Sequence, residues 1–110
     1  MDRSIIYTSD FLEFRQSLGQ RALKKLDYCV VILQHEMPLS QKFVKKIIGS
    51  DLYELRISVE NEIRVFLFAA DNENINLATK IVALNGFVKK STKDYEKQIK
   101  KAYNILNSIV

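Results

Sequence analysis

Seven lysines crowd the last third of the chain. Residues 79–110 carry Lys80, Lys89, Lys90, Lys93, Lys97, Lys100 and Lys101 against Asp94 and Glu96, whereas residues 1–78 hold ten basic against eleven acidic side chains. A local cationic patch draws in a polyanion by Coulomb attraction and counterion release, while an evenly basic surface of the same net charge mainly affects solubility. The same lysines equally suit a solvated helix face. Two arginines, Arg56 and Arg64, sit in segments of alternating apolar residues. A guanidinium keeps its charge at any relevant pH, and its planar fork takes two phosphate oxygens at once. Their plainer reading is as exposed sheet arginines paired with Glu54 or Glu62. Tyr95 follows the lysine run and is able to stack on an unpaired base, although its place on an apolar stripe also fits a core position. Phe66 and Phe68 share the Arg64 side of their segment and either line a base-binding cleft or simply cover a sheet. Other chemistry is narrowly bounded. The one histidine, His35, stands before Glu36 at an expected helix end, where a cation meets the C-terminal dipole favourably. The single cysteine, Cys29, forbids an internal disulfide, and nothing here has the paired spacing of a zinc site, so neither metal nor cofactor is expected.

To bring these groups together the chain needs a sheet. Leu55, Ile57 and Val59 alternate with Glu54, Arg56 and Ser58, and Ile63, Val65 and Leu67 alternate with Arg64, Phe66 and Phe68, the period of half-buried strands. For both apolar sets to share a face, paired positions must sum to an even number such as 122, with a three-residue loop at Glu60-Asn61-Glu62. Arg56 and Arg64 then share the opposite face. After a polar turn at Asp71 to Asn74, Ile81 to Leu84 reads as a buried strand leading to Gly86.

Helices flank these strands in sequence. A β-prone stretch, Ser4 to Thr8, precedes a helix capped by Ser9 or Asp10 and carrying Phe11, Leu12, Phe14 and Leu18. Beyond Gly19, Ala22, Leu23, Leu26, Cys29, Val30 and Leu33 mark one face of a second helix that ends near Glu36. Pro38 closes it, and Ser40 to Ile48 reads as one more helical turn before Gly49. Ser91 or Thr92 caps a last helix, with Tyr95, Ile99, Ala102, Leu106 and Ile109 along its apolar stripe. The order predicts one α+β domain over residues 1–110. It has two N-terminal helices and a C-terminal helix packed on one side of an antiparallel sheet of about four strands. No apolar run approaches the roughly 18 to 20 residues needed to span a bilayer, and no signal peptide is evident, so the expected location is the cytoplasm, with no membrane partner.

Four segments are informative together: Leu52-Tyr53-Glu54-Leu55-Arg56, Arg64-Val65-Phe66-Leu67-Phe68, Leu84-Asn85-Gly86-Phe87-Val88-Lys89-Lys90-Ser91-Thr92, and Lys97-Gln98-Ile99-Lys100-Lys101-Ala102. No one of them is specific. In this order and spacing the set resembles the RelE superfamily of bacterial toxins, closest to its phage-derived HigB branch, over most of the chain from about residue 10. The resemblance implies a RelE-like, microbial-RNase-like fold. It also implies a toxin of a type II toxin–antitoxin system: an endoribonuclease that cuts messenger RNA on the ribosome until a cognate antitoxin, in this branch usually a helix-turn-helix protein, masks it.

Carried over residue by residue, the family's catalytic positions fall on Arg56, Arg64, Lys89 and Lys90, with Tyr95, Lys93 and Phe66 as RNA contacts. The chemistry suits them. Attack of a ribose 2′-hydroxyl on the neighbouring phosphate needs a proton acceptor, cations to stabilise the crowded phosphorane, and a donor to the leaving 5′ oxygen. No metal is required for it. A lysine beside other cations loses basicity, so Lys89 or Lys90 is suited to proton transfer as well as charge stabilisation. Where many relatives carry histidine this chain has Asn85, which cannot act as an acid or base near neutral pH. Proton transfer therefore falls to lysine, tyrosine or the ribosome. Two other readings stay open: a ParE-like gyrase inhibitor without nuclease chemistry, and an inactive relative that only binds RNA or a partner. On the nuclease reading, Arg64→Ala should abolish toxicity without affecting folding.

Overall fold

Eight elements follow one another along the computed structural model, which describes residues 2–109. They are β1 (Ser4–Tyr7), α1 (Ser9–Ser17), α2 (Gln20–His35), β2 (Val44–Lys46), β3 (Leu52–Ser58), β4 (Glu62–Ala69), β5 (Lys80–Val88) and α3 (Thr92–Ile109). The strands form one sheet in the order β1-β5-β4-β3-β2, antiparallel except where β1 runs parallel to β5.

Two strands depart from the expected pattern. β1 joins the sheet as an edge, and β2 occupies the stretch read above as a helical turn. There Val44 pairs with Leu55 and is buried, and a segment rich in Val44, Ile47 and Ile48 gains more from the pleated edge than from a helix. The β3–β4 register keeps the even parity but lies two residues from the one anticipated. Leu55 pairs with Val65, Arg56 with Arg64, and Ile57 with Ile63, across a loop at Val59 to Asn61. The two arginines thus stand directly opposite one another, a like-charge pairing that needs nearby carboxylates to be tolerated.

The helices divide between the two faces of the sheet instead of sharing one. α1 and α2 lay Phe11, Leu26, Cys29 and Leu33 on Leu55, Ile57, Val65 and Leu67. α3 sets Ala102 and Leu106 against Leu52, Phe66, Val82 and Leu84 on the other side. The reason lies in the strands, whose apolar residues occupy both faces, so a sheet covered on one side would leave Phe66 and Leu84 in water. The first cap falls one residue before the expected pair: Thr8 Oγ1 accepts the Phe11 N–H at 3.1 Å. Arg3, which nothing in the periodicity marks, is 2% exposed and works as a clamp. It donates to the Leu33 and Glu36 carbonyls at 3.0 and 2.7 Å, satisfying the end of α2, and to Ile75 and Asn76 beyond β4.

The register of β4 against β5 slips between Val65 and Leu67, so that Leu84 and Asn85 together oppose Phe66. This bulge turns Asn85 toward α3, where its Nδ2 donates to the Gln98 carbonyl and Oε1 at 3.2 and 3.1 Å. Gly86 follows immediately, under α1. A Cβ there would come within 2.3 Å of Phe14 Cδ2. Gly86→Ala is therefore expected to destabilise the protein by about 1 to 3 kcal/mol through overpacking. Urea unfolding should show a lower midpoint with an unchanged slope, and an unaltered midpoint would mean that Phe14 swings aside freely.

Candidate active site

On the α3 side of the sheet, a cleft of about 500 Å³ opens between the β2–β3 edge and the first turns of α3. Lys45, Lys46, Arg56 and Lys89 line it with Tyr95, and its two carboxylates are Glu54 and Glu96. Cations outnumber acids around the opening.

Each cation is set by backbone pairing. Lys45 lies across from Glu54 and Lys46 across from Tyr53 on the short edge strand. Arg56, half-buried, lies across from Arg64. The Lys89 N–H donates to the Glu62 carbonyl at 2.8 Å, which carries the β4–β5 ladder one residue past the end of β5. Its Nζ then rests 5.6 Å from the centre of the Tyr95 ring, within cation–π reach.

Tyr95 comes from the first turn of α3, a turn started by Ser91, whose Oγ accepts the Asp94 N–H at 3.2 Å. The ring stands edge-on to Phe66 at 5.5 Å and 6.1 Å from Phe87. Its hydroxyl donates to Glu54 Oε1 at 2.8 Å. Burial and the Glu54 carboxylate push the Tyr95 phenol well above its ordinary range, against a smaller opposing pull from Arg64 and Arg56. The phenol is accordingly neutral near pH 7.

Arg64 lies beneath this surface and does not open on the cleft. It is 5% exposed; Nη1 donates to Glu62 Oε2 at 3.2 Å and to its neighbour Ile63's carbonyl at 3.0 Å, and Nε lies 3.5 Å from Glu54 Oε2. The pairing with Glu54 and Glu62 holds, but as a buried counter-ion and not an exposed phosphate ligand. Phe66 is likewise corrected: with no exposed surface it forms the floor under Tyr95 and has no face to offer a base. Of the adjacent lysines, Lys89 lines the cleft, while Lys90 and Lys93 are exposed outside it. Asn85, tied to Gln98, is 1% exposed and fastens α3 to the sheet. His35 sits at the end of α2 on the other side of the sheet, its Nδ1 2.9 Å from Asp2 Oδ1. Burial pushes the Cys29 thiol up, which keeps it protonated and unreactive.

Three cleft residues escape the sequence reading. Lys45 and Lys46 lie in the segment taken as helical; the flanking Val44, Ile47 and Ile48 are the signal that would have placed them on an edge strand. Glu54 was visible only as a partner for an arginine. As assembled, the cleft offers cations for a phosphodiester around a neutral phenol that is hydrogen-bonded to a buried carboxylate, a set suited to binding a polyanion and moving a proton beside it.

Fold and cleft together define a RelE-like α+β protein whose cationic cleft lies between a sheet edge and the C-terminal helix. The chain belongs to the phage-derived Gp49-like family, whose model matches residues 10–107. Among solved structures it is similar to a double mutant of the Escherichia coli toxin RelE in the free state, 17% identical with a TM-score of 0.65, over 92% of this chain and 98% of that one. It is also similar to the isolated E. coli RelE toxin, 16% identical with a TM-score of 0.59 over 92% and 98% of the two chains. A chain of the intact E. coli RelBE toxin–antitoxin complex is 16% identical with a TM-score of 0.58, over 83% of this chain and all of that one. These likenesses bear out the RelE fold. No curated protein matches the sequence.

Proposed function

We propose that this chain is the toxin of a toxin–antitoxin pair and an endoribonuclease that cleaves messenger RNA on the ribosome. The observation that carries the reading is that Lys45, Arg56 and Lys89 line one cleft with Tyr95, whose hydroxyl is held by Glu54. Arg56 and Lys45 would grip the phosphate, with the guanidinium holding two of its oxygens. Lys89 adds positive charge where the phosphorane gains negative charge, and its ammonium is placed to protonate the leaving 5′ oxygen. Tyr95 would lie beside the attacked nucleotide, its ring fixed by Phe66 and Phe87. Preorganised charge of this kind needs no rearrangement at the moment of reaction, which is what makes it effective.

The antitoxin partner follows from the same surface. A protein that masks the cleft must present acidic or apolar groups to Lys45, Lys46 and Lys89. In the branch this chain resembles, the partner is usually a helix-turn-helix protein, and the site of action on this reading is the cytoplasm, where ribosomes and mRNA are. Induced expression without an antitoxin tests the reading. Incorporation of labelled methionine should collapse before any DNA-damage response. Growth arrest with a DNA-damage response and translation intact would instead favour a gyrase inhibitor.

A further inference from the structure

Glu54 is the residue in the cleft that phosphate binding leaves without a task. A carboxylate beside a phosphate site repels the ligand, and burying one is costly unless it is paired. Glu54 is nevertheless 8% exposed, on a strand with Leu52 and Leu55 near it. Its oxygens are divided between two neighbours. Oε1 accepts the Tyr95 hydroxyl at 2.8 Å, whereas Oε2 faces Arg64 Nε at 3.5 Å, and neither of those two atoms makes a hydrogen bond among the described residues. An arrangement built only for stability would close the Arg64 pair and have no need of the phenol.

The hydrogen bond to Tyr95 has a directional consequence. A phenol has one proton, and here that proton is committed to Glu54, so the oxygen presents only lone pairs to the cleft. Toward a substrate, Tyr95 is an acceptor. On the nuclease reading, the group it would face there is the ribose 2′-hydroxyl next to the phosphate, in the cleft that Lys45, Arg56 and Lys89 line.

We propose that Glu54 is a positioning residue that receives, through Tyr95, the proton of the attacking ribose 2′-hydroxyl. The proposal rests on the nuclease reading above and names the proton acceptor that it lacks. As the 2′-O–H bond breaks, its proton passes to Tyr95 Oη and the proton of Tyr95 passes to Glu54 Oε1. The freed electron pair of the 2′ oxygen forms the new P–O bond, the P–O5′ bond breaks, and the 5′ oxygen takes a proton from the Lys89 ammonium. The products are a 2′,3′-cyclic phosphate and a 5′-hydroxyl. Tyr95 ends as it began, Glu54 has gained one proton and Lys89 has lost one, and solvent restores both. Tyr95 is the catalytic residue, and Glu54 acts through it. Tyr95 from α3, Arg64 from β4 and Lys45 from β2 are paired with Glu54, and the other charged groups lining the same cleft are Lys46 from β2, Arg56 from its own strand, Lys89 from beyond β5 and Glu96 from α3.

Single-turnover cleavage on programmed ribosomes, followed across pH, tests the relay. Glu54 accepts the proton as a carboxylate, so a side chain that cannot take up a proton breaks the relay. Glu54→Gln should lower the rate about 100-fold and change its pH profile, and Glu54→Asp should keep the wild-type profile at a reduced rate. Tyr95→Phe should match Glu54→Gln, and the double variant should be no slower than either, because the two residues act as a unit. If Glu54→Gln fails to fold, Tyr95→Phe decides alone, since it retains the Glu54–Arg64 pair. A folded variant that cleaves within about threefold of wild type with an unchanged pH profile overturns the relay and leaves the nuclease standing. A wild type that never cuts RNA overturns both.

Discussion

Lys89→Ala is expected to slow ribosome-dependent RNA cleavage by about 10² to 10³-fold, the usual cost of removing one preorganised group that stabilises a transition state. Folding should be untouched. The side chain is exposed, and it is the backbone N–H of Lys89 that holds the strand end to Glu62, a bond that alanine keeps. Because the group acts on charge that develops during reaction, the loss should appear in the single-turnover rate on the ribosome and hardly in ribosome binding. Lys90→Ala is the control, one residue along and outside the cleft, and should cleave at the wild-type rate. Equal losses from the two lysines would show that the cleft has been assigned to the wrong surface.

Arg64→Ala is expected to be a folding mutation first, costing about 3 to 5 kcal/mol, because it leaves the Glu54 carboxylate buried and without its counter-ion. Against a total stability of roughly 5 to 15 kcal/mol for a domain of this kind, much of the protein would unfold. Urea denaturation reads this directly as a lowered midpoint. Glu62→Ala, which removes the exposed partner of the same arginine, should leave the midpoint close to that of wild type, because exposed ion pairs contribute little. An Arg64→Ala protein as stable as wild type would show that the pair under the cleft contributes nothing. The sequence pattern had pointed the other way, to an Arg64 whose loss spares the fold. Alternation assigns Arg64 to the face opposite the α1–α2 core, but it cannot tell that α3 covers that face too.

That distinction explains most of what was and was not legible. Period-two alternation placed β3 and β4 and the shared face of Arg56 and Arg64, since a slip of one residue would turn Ile57 and Val65 into water. The slip of two that actually occurs leaves that face intact, so parity was readable and register was not. Apolar residues on the second face, Phe66 and Leu84 above all, announced a second covering layer, yet α+β order alone set all helices on one side. β2 was lost because three residues give too short a period to read, and Lys45 and Lys46 were lost with it. Lys89 and Lys90 were indistinguishable in sequence; which of them enters the cleft depends on the continuation of the β4–β5 ladder. Arg3 and Glu54 were hidden for a common reason. Both are charges buried by partners distant in sequence, and hydropathy reads such residues as surface.

On the proposed function, this cleft cuts messenger RNA only on the ribosome. Primer extension on a defined transcript in a reconstituted translation reaction, with wild type, Lys89→Ala and a ribosome-free control, tests it most directly. Discrete cuts are expected with ribosomes present, none without them, and their loss in Lys89→Ala. A folded, growth-arresting wild type that leaves the transcript intact on translating ribosomes would contradict it.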